Sequence, residues 1–165
     1  MLAHIWVAQP TDGDDGRALR AALELAACSG AHVTVCLLLD AGDDEPIDPR
    51  EQLAREIAGD SAVARSRADA RALALSCAPD VRLTSCVARV GVPVDVLDLV
   101  RTARPDLAVV TAPRRRGMRW VRRLLMPDAT DVLVDAAPCP VLVIRPAQDR
   151  TGAIGATGHP AADDA

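Results

Sequence analysis

Residues 31–39 read AHVTVCLLL, a run in which Val33, Val35, Leu37 and Leu39 recur at alternate positions and most of the gaps are apolar too. A strand with one wet face alternates apolar with polar residues. A run that is apolar almost throughout belongs in the middle of a parallel sheet, covered on both faces. Just upstream, Arg17 to Cys28 carries Leu19, Leu23 and Ala26 on one helical face, and Gly30 follows as a helix stop that tolerates positive φ. Further upstream, His4–Ala8 is a short strand, and Thr11 to Gly16 is a polar turn. Strand, helix and strand together make a parallel crossover unit.

The same alternation continues downstream. Asp40 to Asp48 is an acidic loop, and a long helix is predicted from about Arg50 to Ser76, disturbed at Gly59. Val81–Ala88 alternates as a third strand. Pro93 suits the first turn of the next helix, where its missing N–H costs nothing, and Val94, Leu97 and Val100 follow at helical spacing. Leu107–Val110 is a fourth strand, Ala129–Ala136 a short helix and Val141–Arg145 a fifth strand. Right-handed crossovers turn this order into an α/β fold: a doubly wound five-stranded parallel sheet, order 3-2-1-4-5, with helices on both faces. One domain is expected over residues 1–146. Residues 147–165, rich in Gly, Ala, Pro and Asp, are expected to form a disordered tail. Ligands of such sheets bind at the carboxyl ends of the strands, so the loops after the first, second and fourth strands are the ones to examine.

Composition narrows the chemistry. Half of the 165 residues are hydrophobic, enough for a core without disulfides or metals, yet Phe and Tyr are absent and Trp6 and Trp120 are the two large rings. All 19 basic residues are arginine, which excludes lysine Schiff bases and the lysine of a P-loop. Met1 leads directly into a strand-like run without a basic start, so no signal peptide is read there. No apolar stretch approaches the roughly 18–20 residues that span a bilayer. The five cysteines (Cys28, Cys36, Cys77, Cys86, Cys139) never form a C-x-x-C pair, and four lie inside apolar periodic segments. They read as small buried hydrophobes in a cytoplasmic protein, not as redox or metal groups.

Candidate sites were weighed one by one. Asp12-Gly13-Asp14-Asp15-Gly16 fails as a calcium loop, because loop position six is Arg17 and position twelve is Leu23. His4, His32 and His159 are isolated in sequence, so no metal site is expected. No serine sits in a G-x-S-x-G elbow, and no catalytic residue is assigned. Arg114, Arg115, Arg116, Arg119, Arg122 and Arg123 form an anion patch with no acid among them, in a chain of net charge −4. The patch reads as a solvated loop or as a site for an anionic small ligand or an acidic partner. Overall acidity and the lack of stacking aromatics weigh against nucleic acid.

From Val90 to Arg145 the residues fall into a familiar order: Gly91-x-Pro93, Pro105-Asp106-Leu107, Arg123-Leu124-Leu125, and Ala137-Pro138-Cys139-Pro140-Val141-Leu142-Val143. This resembles the second half of a universal stress protein, and Ala18-Leu19 with Ala21 to Ala26 resembles the first helix of that family. The resemblance covers nearly all of the chain except the tail. Members that bind ATP carry Gly-x-x-Gly, nine residues, then Gly-Ser or Gly-Thr, where bare backbone N–H groups meet phosphate. Here Gly117 matches and nine residues follow, but Pro127-Asp128 stands where Gly-Ser belongs. The first glycine falls on Arg114, or on Thr111 when aligned from the left. Proline removes a donor, and Asp128 sets a carboxylate where phosphate would sit. The acidic position that holds adenine and ribose in binders falls on Pro10 without a gap, or on Asp12 with a two-residue shift. The backbone position that meets adenine falls on Leu38. The resemblance therefore implies a stress or regulatory protein without an ATP cofactor of the usual kind, acting through an unknown protein partner. The alternative it leaves is a nucleotide sensor whose arginines replace the glycine loop. It also implies a homodimer joined through Val141, Leu142, Val143 and Ile144 of the last strand.

Overall fold

A computed structural model describes residues 2–11, 16–40, 48–90, 93–112 and 129–145. Its elements are β1 (His4–Pro10), α1 (Arg17–Ser29), β2 (His32–Asp40), α2 (Pro49–Cys77), β3 (Leu83–Val90), α3 (Pro93–Ala103), β4 (Leu107–Thr111), α4 (Ala129–Ala136) and β5 (Val141–Ile144). The strands form one parallel sheet in the order β3-β2-β1-β4-β5, as the apolar pattern requires.

Each strand sends alternate residues to opposite faces. Ile5 and Val7 of β1 pack with Val33, Val35 and Leu37 of β2 and with Val109, under α1 and the second half of α2. Trp6 and Ala8 pack on the other face with Cys36, Ala108 and Val110, under Val96, Leu97 and Val100 of α3 and Leu133 of α4. The α1 stripe is Ala18, Leu19, Ala22, Leu23 and Ala26, all fully buried. Alanines there let the helix sit close to the sheet, and the branched strand residues supply the volume. The two clusters are the two layers of one core, with β1 between them.

Several boundaries move from their sequence-based positions. β1 runs two residues further, to Pro10, because its pairing with β2 continues through Pro10↔Leu38. β3 starts at Leu83, since Val81 is held in a turn by its N–H donating to Ala78 O at 3.1 Å. It then runs on to Val90, opposite Asp40 at the end of β2. The expected disturbance at Gly59 does not occur. α2 passes through it unbroken, and a Cβ there would meet nothing within 4 Å. Four of the five cysteines were expected to be buried, and one is fully so. Cys36 is buried, Cys77 and Cys139 are half-buried, and Cys28 and Cys86 are exposed. Apolar periodicity marks a face, but it does not say whether another element covers that face. The sequence-isolated His4 and His32 also come together. In-register pairing stacks their rings with centroids 4.2 Å apart. The tail, residues 147–165, lies outside the described residues.

Candidate functional site: the fork between β1 and β4

β1 is paired with β2 along its whole length, from His4↔His32 to Pro10↔Leu38. Its pairing with β4 on the other side covers Ile5↔Leu107, Trp6↔Ala108 and Val7↔Val109. Beyond that point β4 follows β5 instead, through Thr111↔Ile144 and an Ala112 N–H that donates to Ile144 O at 2.8 Å. The sheet therefore forks at its carboxyl end, between strands whose crossovers leave in opposite directions. Such a fork is where doubly wound sheets take ligands.

Two polar side chains stand in the fork. Two residues past the last β1–β4 pair, Gln9 and Thr111 lie on the face shared by Val7 and Val109. Gln9 is 7% exposed, and neither its Oε1 nor the Thr111 Oγ1 has a hydrogen-bond partner among the described residues. The sequence reading found Thr111 and missed Gln9. Its signal was a lone amide closing the otherwise apolar strand IWVAQ.

On the β2 side the geometry is closed. Thr11 folds over the end of β2, its N–H donating to Leu38 O at 3.2 Å and its hydroxyl to the same oxygen at 3.3 Å. A carbonyl oxygen has two lone pairs, and both are engaged. Pro10 is exposed and has no N–H to offer. Thus Pro10, Leu38 and Thr111 are gathered at one end of the sheet. Asp12, Arg114, Gly117, Pro127 and Asp128 lie outside the described residues, as do Arg115, Arg116, Arg119, Arg122 and Arg123 of the anion patch. Among the described residues no cluster of three His, Cys, Asp or Glu could hold a metal ion. No described helix is long and apolar enough to cross a membrane.

At the opposite end of the same strands, the Asp106 carboxylate accepts from the Ala3 and His4 N–H groups at 2.8 and 2.9 Å. Those two bonds hold its pKa below the ordinary carboxylate value. They tie the amino ends of β1 and β4 together, so the strands are pinned at the foot and part at the top.

The sheet order and its forked end define a doubly wound α/β protein with its topological switch point between β1 and β4. The chain matches the family model for Usp, the Universal stress protein family, over residues 1–145, and it belongs to that family. Solved structures agree. The universal stress protein UspA from Lactobacillus plantarum superposes with a TM-score of 0.63 at 22% identity, covering 88% of this chain and 100% of that one. A universal stress protein family member from Burkholderia pseudomallei gives 0.57 at 27% identity, covering 87% and 96%. A universal stress protein in complex with cAMP gives 0.59 at 23%, covering 84% and 95%. No curated protein matches.

Proposed function

We propose that this chain is a dimeric stress-response or regulatory protein that works by binding a protein partner and does not take ATP in the manner usual for its family. The observation that carries the reading is the Leu38 carbonyl. At the position where the family's backbone meets adenine, the oxygen already accepts twice from Thr11. A base that hydrogen-bonds to this oxygen would have to compete with both bonds. The replacement of Gly-Ser by Pro127-Asp128 supports the same conclusion from the phosphate side. The chain then acts by binding and not by catalysis, in the cytoplasm.

A second reading, a nucleotide sensor, is favoured by Gln9 Oε1 and Thr111 Oγ1 in the fork, which have no hydrogen-bond partner among the described residues. The cAMP bound to one structural relative is consistent with it. In that case Arg114, Arg115 and Arg116 supply charge in place of the glycine loop. Guanidinium charges attract an anion without the fixed geometry of backbone N–H donors, and salt screens them.

Isothermal titration with Mg-ATP at physiological salt separates the readings. The first predicts no measurable binding, or weak binding that falls steeply with salt. A low-micromolar Kd that survives Arg114→Ala, Arg115→Ala and Arg116→Ala but is lost on Gly117→Val overturns it.

A further inference from the structure

β2 and β3 carry a cysteine each at the same level: Cys36 is the register partner of Cys86. Adjacent strands run about 4.7–4.9 Å apart, inside the roughly 4.4–6.8 Å Cα separation that a disulfide spans. Partners in register point to the same face, here the α3–α4 face, where Cys36 joins Trp6 and Ala8. The two thiols differ in access. Cys36 is 1% exposed, whereas Thr84, Ser85, Cys86 and Val87 of the edge strand are all exposed. Both cysteines line a groove of about 500 Å³ together with Trp6, Arg89, Asp95 and Asp98. Cys86 Sγ lies 3.8 Å from Val35 O, so its side chain turns inward, toward β2 and its partner.

We propose that Cys86 and Cys36 form a peroxide-reactive dithiol, a site of reversible oxidation that covalently ties β3 to β2. Cys86 attacks and Cys36 resolves. The Cys86 thiolate attacks one oxygen of a hydroperoxide, the O–O bond breaks, and the departing oxygen takes up a proton and leaves as water or alcohol. Cys86 is then a sulfenic acid. Cys36 sulfur displaces its hydroxyl, and the Cys36 proton leaves with that hydroxide as water. Two thiols and one hydroperoxide thus become a disulfide, one water, and one further water or alcohol.

The electrostatics suit these roles. The adjacent Cys36 thiol, acting as a donor toward a Cys86 thiolate, lowers Cys86 to about 7, helped by the Cys86 N–H and Arg67 of α2 and opposed by burial. The same interaction, and then burial, pushes Cys36 up. The charged groups bordering the pair are Arg89 on its own strand and Asp95 and Asp98 on α3, the last bound to Arg101 at 3.2 Å. Disulfides on an exposed edge are among the readily reduced ones.

The test is peptide mapping of the full chain after one equivalent of hydrogen peroxide. Arginine-specific cleavage leaves Cys86 in residues 83–89 and Cys36 in residues 21–50 together with Cys28, so the mapping is repeated in Cys28→Ser. Residues 83–89 linked to 21–50 in both proteins, and released by reductant, is the expected result. Cys36→Ser should instead accumulate a Cys86 sulfenic acid that dimedone traps. Cys86 lies on the exposed edge, so Cys86→Ser decides the matter even if Cys36→Ser fails to fold: it must leave Cys36 unoxidised. Alkylation of Cys86 should be half-maximal near pH 7. A Cys86 that stays reduced, links to another cysteine or to a second chain, or alkylates with a midpoint above about 8.5, the value of a free thiol, overturns the proposal.

Discussion

His4 and Asp106 face each other across the feet of the two central strands and respond to acid in different windows. Burial holds the His4 pKa below 6.5, and the neighbouring His32 adds to the effect, while Asp106 opposes both. As pH falls below about 6.5 the unfolded chain takes up a proton that folded His4 resists, so stability declines from there downward. Asp106 works lower. Its folded pKa lies below the unfolded value of 3.8, so its contribution is intact above about 4 and is lost as pH falls through the folded pKa. Thermal melts should therefore show a first decline beginning near pH 6.5 that His4→Gln flattens. A second, below pH 4, should be absent in Asp106→Asn. A pH 5–6.5 slope unchanged in His4→Gln would refute the first assignment.

Helix ends carry a paired prediction of opposite sign. α1 stops at Gly30, with φ 75 and its N–H donating to Ala26 O at 2.8 Å. α3 stops in the same way at Arg104, with φ 46 and its N–H donating to Val100 O at 3.0 Å, but with a side chain that pays the left-handed cost. That cost is roughly 1–2 kcal/mol for a residue with a Cβ. A Cβ at Gly30 would meet nothing within 4 Å, so conformation alone is at issue there. Gly30→Ala should destabilise by about 1 kcal/mol, and Arg104→Gly should stabilise by about 0.5–1 kcal/mol after the extra entropy of an unfolded glycine. Urea denaturation measures both. Equal signs would mean that one of the two ends is misread. The glycine stop was legible in sequence; the arginine stop was not, because nothing in an arginine advertises a left-handed backbone.

β5 closes one side of the sheet with β4 as its partner, and among the described residues no strand pairs with its outer edge. Val141, Leu142, Val143 and Ile144 are each only half-buried, with Leu142 and Ile144 packed on one core layer and Val141 and Val143 on the other. An apolar edge of this kind invites pairing with a second strand, and an antiparallel copy of itself across a two-fold axis would satisfy both chains. Light scattering at micromolar concentration should give a dimer. Val143→Asp should give a monomer with unchanged circular dichroism, since burying an unpaired carboxylate at the joint costs several kcal/mol. A wild-type monomer, or a mutant dimer, would rule out this interface.

Strand identity, strand order, both faces of the core and the glycine end of α1 could be read from the chain. Each depends on local periodicity, and the direction of the crossovers follows from backbone chirality. Of the candidate site, Pro10, Leu38 and Thr111 were legible through the family resemblance, and the strand pattern pointed only to the loops that hold them. Gln9 was not, since an amide at a strand end means nothing until the neighbouring strand is seen to part from it. The pairing of Cys36 with Cys86, the stacking of His4 on His32 and the capture of the Leu38 carbonyl by Thr11 belong to register. Register depends on how far each strand slides along its neighbour. That is settled by the packing of all the layers at once, and a shift of one residue would turn every one of these side chains to the other face.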